Sequence, residues 1–259
     1  MKSCKWGTTR VLEPKNALPQ PAWKLNNLME IYDNALLVEV ETLNVNTVSF
    51  AQIYNECEGM PEKIADKILK IVETRGKLHN PITGTGGMLI GRIKKIGKAY
   101  ENIYNIAVGD RVATLSSLSL TPLKIYEIIK IYPQLSQVDV RAEAILFQSA
   151  PLVKVPDEYP LWLVTTVLDE AGAPTQTWNL VNKGDMVLIM GAGGKLGLLC
   201  AFAARQKLGS EGKLIGLVRH RRTCAMLKDA GIFDQLLATD AYRPLEALKL
   251  LESEVDITV

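Results

Sequence analysis

VLIMGAGGKLGLLCAFA, residues 187–203, decides the fold. An apolar run, Val187 to Met190, leads into a glycine cluster, and a helix-forming stretch follows at once. Strand, glycine turn and helix in that order make a dinucleotide-binding unit. The chain must reverse sharply after the strand, and its backbone must approach an anion closely. The next helix must then begin with N–H groups aimed at that anion. Aligned on the last glycine, Ala192, Gly194 and Gly197 follow the A-x-G-x-x-G form, with extra glycines at Gly191 and Gly193. Ala192 permits the tight turn, Gly194 admits a pyrophosphate to the backbone, and Gly197 lets the helix pack on the strand. Lys195 and Leu196 complete the expected cofactor-binding set. The motif alone also fits an ordinary glycine-rich turn. A P-loop does not fit, because no Lys-Ser/Thr pair follows the last glycine.

Strands and helices alternate strictly outward from this turn. MVLIM (186–190) precedes a helix over 195–209, and KLIGLV (213–218) precedes one over 222–231. QLLAT (235–239) precedes a helix over 244–253, and VDITV (255–259) follows. This spacing implies right-handed crossovers and a parallel sheet. Four strands are expected where a full doubly wound domain has six, so the domain reads as C-terminally incomplete, with an unpaired edge at its last strand. The acidic residue that would bind an NAD ribose beyond the second strand is absent. Arg219 and Arg221 stand there instead, beside His220 and Arg222. A guanidinium at this place suits a 2′-phosphate and so NADP, with NAD as the alternative; a solvated basic helix start is the plainer reading.

The first part of the chain is β-rich. A strand is expected over 34–50, then an amphipathic helix over 61–76 carrying Ile64, Ile68 and Val72 on one face, with Pro61 at its first turn and Gly76 at its stop. Strands follow over 87–97 and 108–115. A helix is expected over 121–133, with Thr121 as cap and Pro122 at its first position, and a strand over 142–149. Residues 158–178 read as a mostly buried helical connector. The domains are therefore expected at 1–160 (catalytic and substrate-binding) and 161–259 (dinucleotide-binding).

With 259 residues, 47% of them apolar, the chain can bury two cores. A net charge of +2 offers no field for nucleic acid or a membrane surface. No apolar run approaches the ~18 residues of a membrane span, and residues 1–15 lack the apolar core of a signal peptide. Cys4, Cys57, Cys200 and Cys224 have no paired spacing, which favours reduced thiols and a cytoplasmic protein.

TGTGGMLIGRIKKIG (83–97) followed by VGDRV (108–112) resembles the early catalytic-domain signature of the medium-chain dehydrogenase/reductase superfamily. The implied fold is α/β: a GroES-like β-rich catalytic domain, then a Rossmann doubly wound parallel sheet. CKWGTTRVLEPK, LPQPA, NPITGTGGMLIG, SLSLTPL, AILF, LDEAGAP and GKLIGLVR resemble, in the same order, the L-erythro-3,5-diaminohexanoate dehydrogenase family of lysine fermentation. That resemblance implies NAD(P)-dependent oxidative deamination at C3 of a small diamino acid. The products would be 5-amino-3-oxohexanoate and ammonia. The superfamily usually pairs through its last cofactor-domain strand, which implies a homodimer, but that strand is missing from this sequence. The family often has His where Thr9 stands here, so any role of that imidazole is lost.

Zinc-dependent members of the superfamily hold the metal through Cys, His and Cys or a carboxylate. Alignment on Gly91 and Gly97 puts Gly87 at the histidine position and Met88 at the neighbouring glutamate. Asn46 falls near the first cysteine and Asp169 near the third position. One carboxylate cannot make a catalytic zinc site, so no zinc is expected. Amine oxidation then needs a group that takes a proton from ammonium, and a carboxylate suits a cationic substrate. Asp169 is the first candidate, with a hydrogen-bond acceptor at a helix end as its plainer reading; Glu170 is the second. Glu13, Arg10, Ser49 and Thr85 are the expected substrate-binding residues, by inferred location. His79 reads as a satisfied loop histidine. Competing readings are a zinc-free quinone or enone reductase, whose cleft would be apolar and lack a carboxylate, and an inactive chain.

Overall fold

A computed structural model describes residues 3–251 and 254–259. The chain divides into two compact units, Met1–Asp169 and Glu170–Val259.

The first unit contains β1 (Val11–Glu13), β2 (Lys24–Leu25), β3 (Ala35–Val45), α1 (Thr47–Glu56), α2 (Pro61–Arg75), β4 (Gly87–Ile96), β5 (Arg111–Thr114), β6 (Leu123–Tyr132), β7 (Gln137–Phe147), β8 (Leu152–Lys154) and α3 (Leu161–Leu168). Six strands form one sheet in the order β6-β7-β3-β4-β5-β8, antiparallel throughout. Helix α2 keeps the expected face: Ile64, Ile68, Ile71 and Val72 are buried, and the Gly76 N–H closes on the Val72 carbonyl at φ 68°. These side chains join Phe50 and Ile53 of α1 and Leu36, Val38, Val40 and Leu43 of β3 in one core. Each fully buried aliphatic side chain contributes about 1.5–3 kcal/mol, so a charge at Ile68 would break the layer.

Three expectations change here. Residues 121–133 form strand β6, not a helix. Its register against β7 slips between Ile125 and Glu127 and again between Ile128 and Lys130. Each slip is a bulge that inserts one unpaired residue. The inward side chains therefore fall at Leu123, Ile125, Ile128 and Ile131, a spacing that imitates a helix. Thr121 starts no helix; it closes the 118–120 turn, and its hydroxyl donates to the Ser117 carbonyl at 3.1 Å. The strand expected over 34–50 stops at Val45, because Asn46 caps a helix: its side chain accepts the Val48 N–H at 3.1 Å. The connector is helical as expected, in α3 and in α4 of the second unit, but Trp162, Leu163 and Val167 are exposed. Val164 of α3 packs with Met88, Ile90 and Ala113 of the first unit.

The second unit contains α4 (Gly172–Leu180), β9 (Met186–Met190), α5 (Lys195–Leu208), β10 (Lys213–Val218), α6 (Arg221–Lys228), β11 (Gln235–Ala238), α7 (Pro244–Leu250) and β12 (Ile257–Thr258). Residues 252 and 253 of the expected helix lie outside the described residues. The sheet is parallel, in the order β11-β10-β9-β12. Val187 and Ile189 join Cys200, Ala201 and Ala204 of α5 in one core, while Leu188 joins Ile215, Leu217 and Ala247 in another. Burial on both faces is why these strands read as continuous apolar runs. The strand order reverses between β9 and β12, and the glycine turn leaves the carboxyl end of β9 at that switch point, where open α/β sheets bind ligands. No helix among the described residues is long and apolar enough to cross a membrane.

Candidate active site

A cleft of about 270 Å³ opens in the first unit. Its walls are Asn46 at the β3–α1 junction, the 84–88 turn into β4, most of the 114–119 segment after β5, Gln20, and Leu168 and Asp169 at the end of α3. The positions inferred for an ancestral metal site, Asn46, Gly87, Met88 and Asp169, all line this one cleft. Gly87 has φ 127°, and a Cβ there would sit 1.9 Å from the Asn44 carbonyl oxygen. The backbone thus admits no side chain where zinc-dependent relatives carry histidine. Among the described residues, no three His, Cys, Asp or Glu side chains are grouped to hold a metal ion. One carboxylate among amide and thioether neighbours does not fit a catalytic zinc.

Hydroxyls dominate the polar lining. Thr85 donates to Asn46 Oδ1 at 3.1 Å, and buried Ser49 bonds the hydroxyls of Thr83 and Thr85 from behind the wall. Ser117 Oγ accepts both the N–H (3.2 Å) and the hydroxyl (2.8 Å) of Ser119. Ser116 Oγ is buried and has no partner among the described residues. Asp169 ends α3, with its N–H on the Thr165 carbonyl at 3.0 Å. It is the one ionisable side chain among the described residues lining the cleft.

The other expected site residues lie elsewhere. Arg10 is buried, and its guanidinium donates to the carbonyls of Asn26, Leu28 and Glu30 while lying 5.2 Å over the Tyr32 ring. Its two terminal nitrogens tie down the 26–30 loop, and Arg10 is outside the cleft lining. Glu13 sits exposed in β1, outside the cleft lining. Glu170 belongs to the second unit and pairs with Lys195 at 3.0 Å. His79 has a backbone hydrogen bond at Gly84, while its Nδ1 is buried without a partner among the described residues. Burial, with positive Lys77 and Arg75 close by, pushes its pKa down to about 4, so the ring is neutral at pH 7. Sequence reasoning missed Gln20, Ser116 and Ser117. The segments LPQPA and SLSLTPL marked two of these places without saying that they meet.

In the second unit the glycine turn joins β9 to α5. The N–H groups of Gly191 and Ala192 bond the Leu217 carbonyl at 3.0 and 3.1 Å, which fastens the turn to β10. A Cβ on Gly197 would lie 2.4 Å from the Gly191 carbonyl oxygen, so only glycine lets α5 start this close to the turn. Lys195, Leu196 and Gly197 form the first turn of α5, whose N–H groups have no preceding helical carbonyl. Gly193 and Gly194 are exposed beside them. This is a cradle for an anion, and the residues fit a pyrophosphate. Arg219, exposed after β10, approaches Asp240 at 3.6 Å; Arg221 opens α6 and is exposed.

Residues 9–156 match the model of the L-erythro-3,5-diaminohexanoate dehydrogenase N-terminal domain. The chain is 49% identical over 249 residues to the L-erythro-3,5-diaminohexanoate dehydrogenase of Acetoanaerobium sticklandii, covering 96% of this chain and 72% of that protein. The chain belongs to the L-erythro-3,5-diaminohexanoate dehydrogenase family. The Fusobacterium nucleatum family member is 44% identical over 263 residues, covering 100% of this chain and 76% of the relative. Among solved structures, a Pseudomonas syringae quinone oxidoreductase is 17% identical with a TM-score of 0.50, covering 88% of this chain and 58% of its own. That likeness is one of fold: this family member has the GroES-like and Rossmann parts expected from its sequence.

Proposed function

We propose that the chain catalyses NAD(P)-dependent oxidative deamination of L-erythro-3,5-diaminohexanoate at C3, giving 5-amino-3-oxohexanoate and ammonia. The observation that carries this reading is the cleft itself: a single carboxylate, Asp169, in an otherwise uncharged, hydroxyl-rich lining. An ammonium substrate needs such a carboxylate. A neutral quinone or enone does not, which sets the reductase reading aside.

The nicotinamide, when bound, accepts the hydride from C3. The residues that would hold its pyrophosphate are the amides of Gly193 and of Lys195, Leu196 and Gly197 at the start of α5, and Arg219 and Arg221 would favour the 2′-phosphate of NADP over NAD. Asp169 takes a proton from the C3 ammonium, which leaves a neutral amine able to release hydride. That proton passes to solvent, so the same carboxylate can hold the water that attacks the iminium carbon, accept its proton and hand it to the nitrogen of the carbinolamine, whose hydroxyl loses its own proton to Asp169 as the C–N bond breaks. Ammonia leaves and the ketone remains. Four free thiols, two of them buried, suit a reducing cytoplasm.

The test is a titration of the full chain with NADP and with NAD, followed by nicotinamide reduction in the presence of the diamino acid. Asp169→Asn should lower kcat by roughly 10²–10⁴-fold with cofactor affinity unchanged. Binding of neither nucleotide would overturn the proposal, and tighter binding of NAD than NADP would overturn the role of the arginines.

A further inference from the structure

The cleft lining holds hydroxyls that the deamination chemistry does not use. Ser116 is one of them: it is 8% exposed, and its Oγ is buried without a hydrogen-bond partner among the described residues. A hydroxyl carries one donor and two acceptor sites, and leaving it buried and unpaired is costly. Ser117, its neighbour in the same wall, has both acceptor sites taken by the N–H and hydroxyl of Ser119. Its remaining capacity is its own O–H proton. Asn46 Oδ1 is likewise occupied by the Val48 N–H and the Thr85 hydroxyl, so what its side chain still offers the cleft is the amide NH₂. Ser117 and Asn46 therefore present donors whose own acceptor oxygens are taken, and Ser116 beside Ser117 holds an O–H with no partner among the described residues. A ligand group that matches is an acceptor with several lone pairs and negative charge, which describes a carboxylate.

We infer that Ser116 and Ser117, assisted by the Asn46 amide, form the subsite for the substrate's carboxylate. This assignment rests on the deamination reading and takes the place of the role once expected of Arg10. It also supplies polarity. The diamino acid bears ammonium groups at one end and a carboxylate at the other, and the cleft bears Asp169 in one wall and hydroxyl donors in another. Neutral donors bind an anion without adding a cation that would repel the ammonium groups or neutralise Asp169.

The test measures equilibrium binding to the full chain saturated with reduced cofactor, so that no turnover occurs. The probes are L-erythro-3,5-diaminohexanoate and 2,4-diaminopentane, which keeps both amines and lacks the carboxylate. The unaltered chain should bind the acid roughly 10–100-fold more tightly than the diamine. Ser116→Ala and Ser117→Ala should each weaken the acid by about tenfold and leave the diamine unchanged. Where an alanine variant does not fold, Ser116→Cys, close in shape but a weak donor, replaces it. The acid-to-diamine ratio of the unaltered chain needs no variant at all. Equal binding of both probes by the unaltered chain, or an unchanged ratio in the folded variants, overturns the subsite while the deamination reading stands. Binding of neither probe overturns both.

Discussion

Lys77 is fully buried, and its Nζ donates to two backbone carbonyls, Pro19 at 2.7 Å and Gln20 at 2.9 Å. Burial, with the positive charge of Arg75 adding to it, brings its pKa from 10.5 down to about 7. Above pH 7 the folded chain has therefore released a proton that the unfolded chain still binds, up to about pH 10.5. Stability must rise with pH wherever the unfolded state holds more protons. The slope for one group rises from half its limit at pH 7 to about 1.4 kcal/mol per pH unit, so this lysine alone should add about 2 kcal/mol between pH 7 and pH 9. Below pH 7 both states are protonated, and the cost of burying the charge is present in full and constant. Lys77→Met keeps the apolar stem and removes the titration. Urea unfolding of both proteins at pH 6, 7, 8 and 9 gives the comparison, and the readout is the difference in slope, since loss of the two carbonyl partners shifts the variant at every pH. The unaltered chain should gain stability on the variant steadily from pH 7 to pH 9. Parallel curves over that range would refute the reasoning, because they would mean that Lys77 is charged in the fold throughout.

Gly197→Ala drives a Cβ to 2.4 Å from the Gly191 carbonyl oxygen, and the backbone must shift. Unfolding stability should fall by about 1–3 kcal/mol and nucleotide affinity should fall with it; a variant with native stability and affinity would show that the turn gives way easily. Arg10→Met removes a buried guanidinium bound to three carbonyls and should cost roughly 2–4 kcal/mol of stability without raising KM for the diamino acid. A raised KM at unchanged stability would return Arg10 to the substrate.

The second unit was legible because its signals are local. Val187–Ile189 and Leu214–Leu217 are apolar runs that only a doubly covered parallel strand needs, and the constraint on Gly197 comes from Gly191, within the same turn. Helix α2 was legible for the same reason, its proline start, glycine stop and apolar stripe all lying within residues 61–76. Strand β6 was not, because its two bulges exist only against β7 and give its inward isoleucines a helical spacing. The end of β3 turned on one hydrogen bond from Asn46. Asn46 and Asp169 could be named from sequence through a resemblance, but Gln20 and the pair Ser116 and Ser117 come from segments far apart in the chain. Periodicity and turn chemistry determine which stretches become strands and helices. Which hydroxyls face one another, and which are left without a partner, depends on long-range packing that no local pattern carries.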